Sequence, residues 1–236
     1  MPVSPPVGSY ACPSAGVRGR CRHQRSGVLL GRAGCVDEMP WRPRGQREDA
    51  QSVDDRLTRL PYPDPPLGDG VVRLRRWEDR DLPCVEAAAT DPRIPSGTTV
   101  PAIFSEVEGT AFIKRQWGRQ RDGEGLSLAI EEEARSTAVG LIALLFRPEP
   151  LVAGVGYWVI PEARGRRFAA RAVALLAPWA LQQASVRRLE ALVDPENLAS
   201  MQALEGCGFQ REGLLRSYLK GSRDAFIYSM LASDLK

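Results

Sequence analysis

The amino-acid sequence predicts one mixed α/β (α+β) domain, a mostly antiparallel twisted sheet with about four flanking helices, standing behind an unstructured N-terminal segment. Three observations predict it. Between residues 71 and 160, four stretches are either apolar at period two or short apolar runs, as strands require. After residue 160 the order turns to helix, strand, helix and two closing strands, which suits helices layered on a sheet. Residues 1 to about 60 are rich in Pro, Gly, Ser and Arg and show neither period, the pattern of a disordered tail. With 236 residues, 43% apolar and 26% charged, the chain has material for one sizeable core and an appendage. The expected division is therefore a tail over 1–60 and a folded domain over 61–236.

The strands and helices follow in order. Val71 to Trp77 (VVRLRRW) alternates apolar with charged residues and reads as a half-buried strand. Asp79-Arg80-Asp81 opens a helix with acidic residues at its positive end. A second helix, about Glu106 to Arg121, carries Phe112, Ile113 and Trp117 at helical spacing, so these aromatics read as core. Leu126 to Ile130 and Thr137 to Phe146 are strands joined by the polar link EEEARS, a hairpin. Val152 to Ile160 is a fourth strand. An alanine-rich helix follows, with Pro178 inside it and a kink expected there. Arg188 to Val193 is a strand, a helix begins near Asp194 or Asn197 and ends at Gly206 to Gly208, and Phe209 to Leu215 and Ala225 to Leu231 close the sheet.

Composition excludes several functions. The net charge of +3 over this length does not mark a nucleic-acid binder, and a role for the basic tail in such binding is the weakest of the readings. No run of about 18 apolar residues is present and no apolar region opens the N-terminus, so a membrane partner is not expected and a cytoplasmic location is. GVLLGRAGC has the small residues of a lipoprotein cleavage site, but Arg32 precedes Cys35 and no apolar helix leads into it. Met39 is an alternative start of translation, in which case much of the tail is not made. Five cysteines without a C-x-x-C pair give no disulfide framework. Cys12, Cys21, His23 and Cys35 match no zinc spacing, and no metal is expected. His23 is the single histidine, so a Ser-His-Asp hydrolase, a Cys-His protease and an H-E-x-x-H enzyme are excluded for everything after it.

One turn invites a ligand. The strand ends at Ile160, the chain turns through Arg164-Gly165-Arg166-Arg167, and a helix begins beneath it. Free backbone N–H groups at a positive helix terminus, among arginines, suit a phosphate. The alternative is an ordinary basic loop capping a helix. No G-x-x-x-x-G-K-[ST] is present, and Gly154-Val155-Gly156 lies inside a strand with Val159 where a dinucleotide fingerprint needs glycine.

GYWVIPEARGRRFAARAV, DPENLASMQALEGCGFQREGLLR and the closing RDAFIYSML together resemble the GNAT N-acetyltransferases, in particular the RimJ/RimL-like branch. The likeness runs from about residue 68 to the C-terminus and includes Asn197, Ser200, Gly208, Phe209, Glu212 and Gly213 as an N-x-x-S…G-F-x-x-E-G pattern. It implies a splayed sheet holding acetyl-CoA between its fourth and fifth strands, and transfer of an acetyl group to a primary amine, on a protein N-terminus or a small molecule. By position it implies that the amides of Arg164, Gly165, Arg166, Arg167, Phe168 and Ala169 hold the pyrophosphate, and that Trp158, Val159 and Ile160 offer backbone bonds to the pantetheine arm. Asn197 and Ser200 then flank the thioester, Ser200 as proton donor to the thiolate and Asn197 orienting cofactor or water. Arg216, Tyr218 and Asp224 fall where the last strands border the substrate, and a homodimer is compatible with the family.

Two departures qualify the carry-over. Arg167 stands where the family has glycine; its side chain either obstructs the backbone's approach to phosphate or, if the turn needs no positive φ, points outward and adds a charged contact. Gly154 stands where many relatives carry a carboxylate base, so no base is assigned; Glu162 and Asp194 are near in sequence, Asp194 equally as a helix cap. A non-catalytic acyl-CoA-binding or regulatory module of the same fold is therefore the alternative to the enzyme.

Overall fold

The computed structural model describes residues 60–149, 151–183 and 186–235. Eight strands form one sheet: β1 (Leu67–Gly68), β2 (Val72–Arg75), β3 (Gly125–Glu132), β4 (Thr137–Phe146), β5 (Val152–Val159), β6 (Arg188–Val193), β7 (Gln210–Leu219) and β8 (Arg223–Leu231). Their spatial order is β1-β2-β3-β4-β5-β6-β8-β7. Every neighbouring pair is antiparallel except β5 and β6, which are parallel because the long crossover helix joins them. Five helices flank the sheet: α1 (Leu82–Ala89), α2 (Arg93–Gly97), α3 (Glu106–Arg121), α4 (Phe168–Gln183) and α5 (Leu198–Gly206).

Local chemistry sets these boundaries. Ser105 caps α3 by accepting from the Glu108 N–H at 3.2 Å, Glu106 and Glu108 sit in its first turn, and Arg119 and Arg121 sit in its last, all in the sense the helix dipole favours. The acidic opening expected of α1 is a 3-10 turn at Asp79–Asp81 that leads into the helix. Asp81 is buried there as a bidentate partner of Arg75, at 2.7 and 2.8 Å, and Arg75 also reaches Glu131 at 2.5 Å. That triad ties the entry of α1 to the middle of the sheet.

Two apolar layers hold the sheet. On one face, Leu126, Leu128 and Ile130 of β3, Ile142 and Leu144 of β4, and Ala153, Val155 and Val159 of β5 pack with Ala172, Val173, Leu176 and Ala180 of α4. On the other, Ala143 and Trp158 meet Trp77, Val85, Ile94, Phe112 and Ile113, from α1 to α3 and the segment before them. Trp77 stands edge-on to Phe112 at 5.5 Å and lies 6.1 Å from Trp158. Trp117 donates its indole N–H to the Trp77 carbonyl at 2.7 Å, so the aromatics of α3 are core, as their spacing implied. Because both faces are covered, all eight residues of β3 are buried.

Differences from the sequence reading are small. β1 and α2, of two and five residues, were not anticipated; elements so short carry no measurable period. Pro178 lies inside α4. The start of the last helix, left between Asp194 and Asn197, is resolved by Asn197 as its N-cap. The tail read over 1–60, with Cys12, Cys21, His23 and Cys35, lies outside the described residues apart from Leu60, which is buried and accepts from Gln120.

Candidate active site

β5 and β6 pair over only three positions, Val152 with Arg188, Ala153 with Leu189 and Gly154 with Glu190. Beyond Gly154, β5 keeps β4 on one side while β6 keeps β8, and nothing among the described residues pairs the facing edges. The sheet is open there. Counting β1, the opening falls between the fifth and sixth strands, the pair that the sequence reading numbers fourth and fifth.

The turn into α4 closes one end of this opening. Gly165 has φ +77° and Arg167 φ +62°, so the backbone alternates into the left-handed region twice in three residues. For a non-glycine residue this conformation costs about 1–2 kcal/mol. The turn requires positive φ, so the condition on which Arg167 is expected to point outward and add a charged contact does not hold; positive φ strains the backbone but does not by itself turn the side chain onto the phosphate, so the charge stays available at the turn. The same geometry leaves the N–H groups of Gly165, Arg166 and Arg167 without backbone acceptors, and those of the first turn of α4 add to them, a concave set of donors suited to an anion.

Most of the nearby arginines are already paired. Arg164 reaches the buried Asp91 at 2.6 Å and donates from Nε to the Val159 carbonyl at 3.2 Å. Arg166 pairs with Glu132 and lies over the Phe168 ring at 4.5 Å, and Arg171 meets Asp69 at 2.7 Å. Hydrogen bonds from Arg93, then from Arg164, hold Asp91 well below the usual carboxylate range, and Arg166 lowers Glu132. Arg167 has no carboxylate partner among the described residues. The free charge of the turn is therefore Arg167 together with the amides.

Across the opening, Asn197 caps α5 through its Oδ1, which accepts the Ser200 N–H at 3.2 Å. Ser200 Oγ lies 2.8 Å from the hydroxyl of Tyr157, and that hydroxyl also reaches the Ser200 carbonyl at 3.3 Å. Burial pushes Tyr157 up to about 12, against the lowering effect of Ser200. Sequence reasoning passed over Tyr157. The available signal was parity: Val155, Tyr157 and Val159 share the face that α4 and α5 cover. Asp194 accepts from the Glu196 N–H at 2.9 Å and pairs with Arg223, so it shapes the turn before α5 without being its cap.

Other expected site residues are placed as follows. Trp158 and Val159 lie on the open strand, while Ile160 donates to the Val139 carbonyl at 3.0 Å and accepts from Ala163 at 3.1 Å, so both its backbone groups are used within the chain. Asp224 accepts from the Ser217 N–H at 2.8 Å inside the β7–β8 hairpin, with Arg216 and Tyr218 exposed beside it. No recorded contact joins these three to Ser200. Glu190, opposite Gly154, accepts from Arg188 Nε at 2.8 Å, and Arg188 also grips Glu212 at 2.9 and 2.5 Å. Among the described residues no cluster of His, Cys, Asp and Glu forms a metal site, and no helix is long and apolar enough to cross a membrane.

An open mixed sheet, a donor-lined turn after β5, and a Tyr157–Ser200 hydroxyl pair that bridges the opening stand together at this place. The chain belongs to the family described as the Acetyltransferase (GNAT) domain, which matches residues 72–210. It is 37% identical over 168 residues to the uncharacterized N-acetyltransferase p20 of Bacillus licheniformis, covering 70% of this chain and 93% of that one. Its fold is similar to that of Mycobacterium smegmatis RimJ in complex with CoA-disulfide, with TM-score 0.62, 26% identity, and coverage of 70% and 84%. It is similar in fold also to the microcin C7 self-immunity acetyltransferase MccE in complex with acetyl-CoA and AMP, with TM-score 0.61, 19% identity, and coverage of 69% and 93%. The protein is an N-acetyltransferase of this family.

Proposed function

We propose that the chain moves the acetyl group of acetyl-CoA to a primary amine by direct attack on the thioester, with the cofactor lying in the opening between β5 and β6. The observation that carries this reading is the coincidence of an unpaired strand edge on β5 with the donor-lined turn at Gly165–Arg167. The turn and the first residues of α4, Phe168 and Ala169, would take the pyrophosphate, with Arg167 supplying the unpaired charge. The pantetheine arm would run along the free edge of β5 as an added strand, over Trp158 and Val159, sharing the Val159 carbonyl with Arg164 Nε. Ile160 contributes through its side chain only, its backbone groups being engaged.

In the transfer step the amine nitrogen attacks the carbonyl carbon, the C–N bond forms, the C–S bond breaks, and the nitrogen loses a proton while the thiolate gains one. Ser200, hydrogen-bonded to Tyr157, supplies the donor for the thiolate, and Asn197 orients the first turn that carries it. Glu190 is the carboxylate in register with Gly154 and is the group we assign to the proton leaving the amine. Arg216, Tyr218 and Asp224 would border the acceptor from the β7–β8 hairpin.

Calorimetric titration of the chain with acetyl-CoA and desulfo-CoA, alongside mass-spectrometric detection of acetylated amines, tests the reading. Saturable binding with turnover of at least one amine is expected. Binding without turnover in a broad amine and peptide screen would favour the non-catalytic module, for which the absence of a carboxylate at Gly154 is the motive. Absence of binding would overturn both.

A further inference from the structure

Gly154 and Gly156 share by parity the face of β5 on which Trp158 packs against α1 to α3, away from the face on which Tyr157 lies. Their surroundings differ sharply from one position to the next. A Cβ built on Gly154 would stand 2.8 Å from Arg147 Nη2 and 3.0 Å from its Cζ, so the guanidinium lies against the strand where any other residue would place a side chain. A Cβ built on Gly156 would meet nothing within 4 Å. At Trp158 the indole Nε1 is buried without an acceptor, and at Arg147 the Nε is buried without one too. Along one face, at the level where the sheet opens, stand a cation, an open floor and an indole donor.

A guanidinium with a buried, unanswered donor is a costly arrangement unless an acceptor arrives. No described carboxylate forms an ion pair with Arg147. Glu190 is in register with Gly154, but its Oε1 is held by Arg188 at 2.8 Å. Nor does packing alone explain the arrangement, because a glycine is needed at 154 to admit the guanidinium, and a leucine or methionine at 147 would cover the strand without that demand.

We infer that Arg147 selects an acceptor amine carrying an oxyanion, a carboxylate or a phosphate, within a few bonds of its nitrogen, and that the Gly156 floor is where this acceptor lies. The inference rests on the acetyl-transfer reading for the position of the thioester on the other side of β5. A guanidinium is the residue best shaped to grip a planar carboxylate or a phosphate with two parallel hydrogen bonds. Its positive charge also disfavours the ammonium form of the bound amine, so the nitrogen arrives closer to the neutral state that attack needs. The glycine at 154 is thus a partner of Arg147, not simply a missing base.

The test uses matched amines: β-alanine against β-alaninamide, and 2-aminoethyl phosphate against ethanolamine. Acetylation rates are measured for the parent chain, Arg147→Met and Arg147→Lys, and binding of the same amines is followed by calorimetry with desulfo-CoA present. The parent is expected to prefer at least one anionic member tenfold or more in kcat/KM, the favoured pair telling carboxylate from phosphate. Arg147→Met should erase the preference through KM while leaving the desulfo-CoA affinity in place and the thermal midpoint unchanged or higher, and Arg147→Lys should keep part of it. Equal handling of both members by the parent, or a preference that survives Arg147→Met, overturns the inference. If no amine is acetylated, calorimetry still decides: anionic amines bound by the parent and lost in Arg147→Met uphold the inference while the acetyl-transfer reading falls, and no difference between members ends it.

Discussion

Tyr157 and Ser200 touch across the open side of the sheet, Oη to Oγ at 2.8 Å, although they lie on different elements 43 residues apart in sequence. If the pair acts together in protonating the thiolate, its two halves are not independent. Tyr157→Phe and Ser200→Ala are each expected to lower kcat by about 10²-fold, the lower end for general acid catalysis. The double variant should fall little further, since residues that act as a unit are not additive. Steady-state kinetics on all three variants checks it, and full additivity would separate the two roles. With Tyr157 at about 12, no loss of rate from its ionisation is expected between pH 8 and pH 10.

Arg167 is placed to affect stability and affinity in opposite directions. Its φ of +62° is strained for arginine and ordinary for glycine. Arg167→Gly should raise stability by about 0.5–1 kcal/mol, the relief of strain partly offset by the greater freedom of glycine in the unfolded chain. It should also weaken acetyl-CoA several-fold through loss of the charge at the turn that has no carboxylate partner among the described residues. Urea denaturation and calorimetry on the same variant read the two signs; a gain in both would mean the side chain obstructs the phosphate.

Asp91 is a remote lever on the same turn. It ties Arg164, at 2.6 Å, to the start of α2 through Arg93. Asp91→Asn keeps the shape and removes the charge, so the turn should loosen and the acetyl-CoA dissociation constant rise a few-fold, with kcat at saturating cofactor nearly unchanged. An equal fall in kcat would place Asp91 nearer the chemistry than its position suggests.

Glu212 makes stability depend on acid. Arg188 and then Ser229 hold its pKa down at about 2, below the ordinary glutamate value near 4.3. A depressed folded value contributes stability above the unfolded pKa, and that contribution is lost as pH falls from about 4.3 toward 2. The urea midpoint of Glu212→Gln should therefore lie below the parent's at pH 6 and approach it by pH 2.5. A gap that stays constant across that window would assign the effect to packing.

Much of the fold was legible because its signals are local. β4 is Thr137–Phe146 as its apolar run implied, and α3 is Glu106–Arg121 as its caps and aromatics implied. The turn at Arg164–Ala169 was legible for the same reason, being a short motif set by backbone geometry, while the helix start was legible only to within Asp194 or Asn197, because either side chain suits a cap. Tyr157 and Arg147 were not. Parity assigns a strand residue to a face but not to the neighbour waiting there; Ser200 comes from a later helix, and the space above Gly154 is filled from the β4–β5 connection. Gly154 read alone looks like a deletion of function, and only the contact with Arg147 gives it content.

The opening between β5 and β6 has a thermodynamic side. Inside a sheet whose other seams are bonded, one edge of Val155–Val159 has no strand partner among the described residues, only Arg164 Nε reaching the Val159 carbonyl, so the native state leaves part of its own main chain to other acceptors and donors. Whatever occupies that edge contributes to folding itself by mass action, worth about 2.7 kcal/mol when present at a hundred times its dissociation constant. In a cell rich in the occupant, the protein would be sturdier than after purification, and amide exchange along β5 would report which of the two is in hand.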